Sequence, residues 1–277
     1  MVCMSKIKVA VLDLYEGTAN QGMRCIRELL GTYSEIIDFE EFDVRCEAAL
    51  PDLNFDIYIS SGGPGDPRYG DGIWDVAFYR WMRMVWDYNA DKHNKRKKYV
   101  FFICHSFQMA CIHFNVAKVT ERKSMSYGTF PVYSTADGER ELIFSGLENP
   151  FYIADFRRFQ VVQPDYQLLS QIGARILAIE KPRPEIPLER AVMGIRFSKE
   201  IVGTQFHPEA DATGMLIWLQ DEEMKNRICE EHGQEKYEQM KKDLSDSNKI
   251  EKTQKTVLPA FLNDAIGALL PNQIMAC

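Results

Sequence analysis

The sequence predicts an α/β protein: a doubly wound, mostly parallel sheet with helices on both faces, continued by a C-terminal helical extension. Three observations carry this. Apolar runs recur at Ile7–Leu14, Phe55–Ser60 and Val100–Ile103, each suited to a strand covered on both faces. Segments with helical spacing alternate with the runs, as in βαβ units. One of the runs ends abruptly in Cys104, at the carboxyl end of a strand, where open α/β sheets gather their chemistry.

Taken in order, Ile7–Leu14 opens the sheet, and Met23, Ile26, Leu29 and Leu30 set a helix over about Asn20–Leu30. Ile36–Val44 reads as the second strand and Phe55–Ser60 as the third. The third runs into Ser61-Gly62-Gly63-Pro64-Gly65-Asp66-Pro67, where two glycines permit a sharp turn or the close approach of a ligand. Such a loop can aim amides at an oxyanion, and it can equally be an ordinary tight turn. Ile73–Tyr88 is a helix with three of the four tryptophans, and the basic run His93–Lys98 reads as a solvated loop.

Val100–Ile103 ends in Cys104, and helical potential resumes from Phe107 to about Phe114. A cysteine on a strand-to-helix turn is exposed to the positive end of the helix, which favours its thiolate. Standing alone, the same residue would read as a buried strand cysteine. Adjacent residues on a turn rarely face each other, which argues against His105 as its base, and His113 reads as packing. Strands follow in Val119–Tyr133, punctuated at Gly128, and at Phe151–Ala154, Gln160–Val162, Arg175–Glu180, Ala191–Phe197 and Ile201–Gln205, an antiparallel excursion from the main sheet. The last strand ends at His207-Pro208-Glu209. A cysteine nucleophile needs a base, and the base needs a group that orients it. His207 and Glu209, stiffened by Pro208, supply both.

From Ala212 the chain changes character. Met215–Leu244 reads as long helix, Ser245–Asn248 as a break, and Val257–Leu270 as a last apolar helix. The expected division is an α/β domain over 1–211 and a helical extension over 212–277 packed on it. The extension either covers the sheet or offers a docking surface to a partner or a second copy.

Composition narrows the function. The 277 residues are 45% hydrophobic and 26% charged with net charge −7, which argues against attraction to nucleic acid or an anionic membrane. The seven cysteines (3, 25, 46, 104, 111, 229, 277) form no metal-binding spacing, so neither a metal nor a cofactor is expected. Met1–Lys6 lacks the apolar core of a signal peptide, and a reduced, cytoplasmic protein is expected.

Gly62-Gly63-Pro64-Gly65-Asp66-Pro67, then Ile103-Cys104 with Gln108, then Gly203-Thr204-Gln205-Phe206-His207-Pro208-Glu209 together resemble the class I glutamine amidotransferases. The similarity spans roughly residues 6 to 220 and is greatest to stand-alone amidotransferase-domain proteins of the GMP synthase type. It implies that Cys104 attacks the glutamine side-chain amide to form a γ-glutamyl thioester, that His207 moves the proton and that Glu209 orients His207. It further implies an oxyanion hole from the backbone of Gly62, Gly63 and His105, and glutamine-binding roles for Gln108 and for Ser126, Tyr127 and Gly128. No ATP-pyrophosphatase region accompanies the motifs, and a separate partner chain could provide an acceptor synthase. The alternatives are a γ-glutamyl hydrolase or peptidase, and a non-catalytic regulatory protein of the same fold.

Two departures stand out. The family pattern Gly-x-Cys-x-Gly-x-Gln carries Phe102 and Ser106 in place of its glycines, and Asp155–Gln160 replaces a Ser-His segment. Phe102 is expected to fill space beneath the turn and Ser106 to narrow the pocket, leaving the isolated chain weak on free glutamine.

Overall fold

A computed structural model describes residues 6–270 except residue 186. Cys3 and Cys277 lie outside the described residues. The first half builds five elements of a parallel sheet and its cover: β1 (Ile7–Asp13), α1 (Gln21–Gly31), β2 (Ile37–Asp43), β3 (Ile57–Ser60) and α2 (Trp74–Ala90). Then come β4 (Tyr99–Ile103), α3 (His105–His113), β5 (Lys118–Ser134), β6 (Phe151–Val162) and α4 (Tyr166–Ile172). The chain returns through β7 (Arg175–Glu180), β8 (Val192–Arg196) and β9 (Ile201–Thr204). It ends in α5 (Ala212–Gln220), α6 (Glu222–His232), α7 (Gln234–Leu244), α8 (Ile250–Gln254) and α9 (Val257–Leu269).

The nine strands form one sheet in the order β2-β1-β3-β4-β9-β8-β7-β5-β6. Pairings from β2 to β9 are parallel and those from β9 outward antiparallel, four of each, so the sheet is mixed rather than mostly parallel. Two expected breaks in the arm are absent. Gly128, at φ +110, stays inside a continuous β5, and β6 runs through Asp155–Phe159, because the two strands pair with each other along most of their length. The single long helix expected after Met215 is three, with α6 capped by Asp221 and α7 beginning after Gly233 at φ +86.

Each face of the parallel half has its own core. On one, Val9, Val11 and Phe101 meet Met23 and Ile26 of α1 and Leu258, Phe261 and Leu262 of α9. On the other, Leu12, Tyr58 and Phe102 meet Phe78 and Trp81 of α2 and Phe107 of α3. The last helix is therefore a layer of the sheet. Arg96, from the basic run read as solvated, pairs with Asp56 at 2.7 Å and donates to the Leu269 carbonyl at 3.0 Å, a cation at the carboxyl end of α9. A third cluster joins Met215, Leu219, Ile228, Tyr237 and Met240 of α5–α7 to Tyr127 and Ala154 of the β5–β6 arm.

Candidate active site

The site lies at the carboxyl ends of β1, β3, β4 and β9, where parallel strands stop together and leave a crevice. Cys104 sits between β4 and α3 with φ 48° and ψ −96°. Backbone of that kind costs a non-glycine residue on the order of 1–3 kcal/mol and persists only where its surroundings over-determine it. Here the Cys104 amide donates to Thr204 O at 2.8 Å, and the Cys104 carbonyl accepts from the Gln108 amide at 2.9 Å.

Ser106 supplies the rest of the restraint. Its hydroxyl donates to Ser60 O at 2.9 Å and accepts from the Ile103 amide at 2.9 Å, fully buried beneath the turn. It therefore braces β4 against β3 and does not narrow the pocket. Helix α3 starts at His105, two residues earlier than its sequence suggests, because this bracing lets the first turn form directly after Cys104. Phe102 also points away from the thiol, into the aromatic core with Trp81 and Phe197 at 6.3 Å each. Its neighbour across the ladder is Gly203, where an added Cβ would come within 3.0 Å of the Phe102 Cβ. The Phe107 ring stands at 2.8 Å from the same position, so glycine at 203 is what lets β9 pack against β4 and α3.

Facing Cys104 across the same cavity is His207, whose ring feels the Cys104 sulfur on one side. On the other side its Nδ1 donates to Glu209 Oε1 at 2.8 Å. Burial opposes charge on this imidazole, yet the Glu209 carboxylate and the Cys104 sulfur beside it carry its pKa well above the ordinary histidine value. An imidazole held in this way is placed to act as a base toward a neighbouring nucleophile. The turn that holds the pair is anchored beyond Pro208. Asp211 caps α5 through the Gly214 amide at 2.7 Å and binds Arg24 of α1 at 2.7 Å.

Gly62 is where the glycine loop meets the imidazole. A Cβ there would lie 2.8 Å from His207 Cε1 and 2.9 Å from Tyr15 Oη, so no larger residue admits both rings. The amides of Gly62, Gly63 and His105 have no acceptor among the described residues, which leaves them free to receive one. The His105 side chain turns away to Arg45, with Nη2 to Nε2 at 2.8 Å. Burial and the Arg45 charge push its pKa down to about 3, which removes it as a base for Cys104.

Around the thiol is a cavity of about 720 Å³ lined by Cys104, His207, Glu209, Gly63 and Tyr127, with further walls from Tyr15, Phe156 and Trp218. The other residues assigned to glutamine binding stand elsewhere. Gln108 is buried and donates to Phe159 O and Gln205 Oε1, both at 3.1 Å. Gln205 in turn donates to the Cys104 sulfur at 3.7 Å, while the thiol reaches Phe156 O at 3.8 Å. Gln108 is thus linked to the thiol by way of Gln205 and does not line the cavity. Ser126 bonds Asp155 at 2.8 Å on the opposite side of β5, and Gly128 packs under Met240. Alternation along a strand sends neighbours to opposite faces, so of these three only Tyr127 reaches the thiol cavity.

Sequence reasoning also missed Tyr15, Gln205 as a thiol partner, and the wall from α5, which includes Met215 and Trp218. Tyr15 and Gln205 each flank a strand end, the one signal that could have drawn attention to them. Among the described residues no group of His, Cys, Asp and Glu could hold a metal ion, and no helix is long and apolar enough to cross a membrane.

Solved structures share this architecture at identities that speak to fold alone. A glutamine amidotransferase from Thermotoga maritima aligns with a TM-score of 0.67 at 13% identity, covering 95% of this chain and 99% of that one. A putative GMP synthase subunit from Thermoplasma acidophilum aligns at 0.53 with 20% identity, over 78% and 92%. The glutaminase domain of Trypanosoma brucei CTPS, solved with acivicin, aligns at 0.53 with 18% identity, over 76% and 89%. No curated protein matches the sequence. The family profile "Glutamine amidotransferase class-I" matches residues 10–221, most of the chain and all of the elements that frame Cys104, and the chain belongs to that family.

Proposed function

We propose that this protein hydrolyses the side-chain amide of glutamine through a Cys104 thioester and releases ammonia for a synthase-type partner. The observation that carries the reading is the strained Cys104 turn facing an imidazole that is itself held by a carboxylate. Cys104 Sγ adds to the amide carbon while His207 takes the thiol proton. The oxyanion collects at the free amides of Gly62, Gly63 and His105. His207 then returns the proton to the leaving nitrogen, the C–N bond breaks, and ammonia departs. Water, deprotonated by His207, cleaves the thioester to give glutamate and the free thiol. Glu209 keeps Nδ1 protonated and Nε2 directed at sulfur throughout. The Thermoplasma relative, named as part of a GMP synthase, supports a separate acceptor chain.

Because Phe102 and Ser106 face the core, neither obstructs free glutamine. A second reading, hydrolysis of a larger γ-glutamyl amide, is favoured by the size and aromatic walls of the cavity, which exceed the needs of one small amino acid. Ammonia release from glutamine and from a panel of γ-glutamyl amides separates the two. A glutamine-like chloroketone should inactivate the protein and, on peptide mapping, label Cys104. Of the other cysteines, Cys25 shares the cavity but burial pushes its pKa up to about 12. Preferential labelling of Cys25 or Cys46 would overturn the assignment.

A further inference from the structure

The segment that replaces the family's Ser-His pattern builds a second cavity, of about 320 Å³, on the other face of the β5–β6 arm. Strand alternation sends Phe156 to the thiol cavity and Asp155 and Arg157 to this one. Arg157 is almost wholly buried, at 1% side-chain exposure. Its Nε donates to Asp155 Oδ2 at 2.9 Å and its Nη2 to Glu180 Oε1 at 3.1 Å. Its Nη1 has no partner among the described residues, and neither do Arg183 Nε and Asp155 Oδ1.

Charge is out of balance here. Glu180 alone serves three arginines, receiving Arg122 at 3.2 Å and Arg183 at 2.7 Å besides Arg157. Lys181 and Lys236 add two more cations to the lining, with their ammonium groups 5.7 and 4.5 Å from the Phe130 ring. Among the described residues no carboxylate pairs with either; Asp243, whose charge Lys236 feels, is held by Lys249 at 2.6 Å. Five cationic side chains therefore face two carboxylates, a surplus of three. Burial and Lys181 lower the pKa of Lys236, so the cluster works against its own charge. Unpaired buried donors and uncompensated charge are both costly, and an entering anion relieves both.

We propose that this cavity binds a small phosphoryl anion, inorganic phosphate or a phosphate monoester, at the unused Arg157 and Arg183 donors and the two lysines. Guanidinium donors match phosphate oxygens in geometry, and a dianion answers the surplus better than a single carboxylate. Phe130, Ile153 and Met193 offer an apolar wall for the organic part of an ester. The proposal stands whether or not Cys104 hydrolyses glutamine.

Isothermal titration of the whole chain tests it, with inorganic phosphate, glycerol 3-phosphate and succinate as probes against sodium chloride at matched ionic strength. Saturable binding of phosphate or the ester at one site per chain is expected. Tighter binding of the ester assigns a monoester, and equal binding assigns the free ion. Lys181→Met and Lys236→Met should each weaken binding about tenfold or more, the loss of one charge-assisted contact. Cys104→Ser should leave it unchanged, which separates this site from the thiol cavity. Lys181 follows the end of β7 and lies outside the packed helices, so its variant decides the matter if Lys236→Met fails to fold. Heats no different from chloride, succinate binding as tightly as phosphate, or unchanged affinity in the folded lysine variants would each overturn the proposal.

Discussion

Replacing Gly62 by alanine perturbs the site through one methyl group. The added carbon would stand 2.8 Å from His207 Cε1 and 2.9 Å from Tyr15 Oη. Ordinary carbon–carbon contacts lie at about 3.5–4.0 Å, so the imidazole or the loop must give way by roughly 0.7–1.2 Å. The loop has little room to retreat, because a Cβ on Gly63 would already lie 2.5 Å from the Leu14 carbonyl oxygen. The displacement therefore falls on His207, which is also held by Glu209 at 2.8 Å. A misplacement of about 1 Å in a catalytic group costs on the order of 100-fold in turnover. The overpacking itself should cost about 1–3 kcal/mol of stability. Ammonia release and the rate of chloroketone inactivation measure the first, and urea unfolding the second. Gly31→Ala is the control, since nothing lies within 4 Å of its Cβ position. A Gly62→Ala protein with both rates at the wild-type value would refute the close packing of loop, imidazole and thiol.

Three further outcomes follow from the same geometry. Glu209→Gln should lower turnover and also change the pH dependence of stability. The folded pKa of His207 is raised, so its contribution is fully present below about pH 6.5 and lost as pH climbs toward the folded value. Urea midpoints at about pH 6 and pH 9 should thus fall in the wild type, and fall less in the variant. Ser106→Ala leaves Ser60 O and the Ile103 amide without their buried partner and should cost about 1–3 kcal/mol, while KM stays within about twofold of wild type; a large KM change would return Ser106 to the pocket. Gln205→Leu removes the donor to the Cys104 sulfur, and chloroketone inactivation should slow on the order of tenfold with KM unchanged; a wild-type inactivation rate would show that the Gln108–Gln205 relay does not position the thiol.

Much of this arrangement is legible in one dimension. The β-branched run at Ile7–Asp13 is a strand because both its faces are covered, and covered strands need no polar alternation. Cys104 and the His207–Glu209 pair stand at strand ends because parallel strands run the same way and finish at the same edge. Arg175–Glu180 matches its predicted bounds residue for residue, between a left-handed Gly173 cap and a polar loop. Gln108 shows where such reading stops. Its place after Cys104 is plain in the sequence, but one helical turn rotates its amide toward Phe159 and Gln205 and out of the cavity.

The sequence by itself determined the local terms: which runs become strands, where a thiol is forced onto a turn, and which histidine ends a strand with a carboxylate two residues on. Only the tertiary structure decided the terms that join distant segments. The pairing of Phe102 with Gly203, the approach of Tyr15 and Gly62 to His207, and the wall that α5 adds to the thiol cavity all link positions far apart in the chain. The under-neutralised cluster of Arg122, Arg157, Arg183 and Glu180 is of the same kind, assembled from β5, β6, β7 and the loop beyond. Propensity and periodicity act over one element at a time. Excluded volume and charge compensation act through space, and they take effect only after the sheet has brought its edges together.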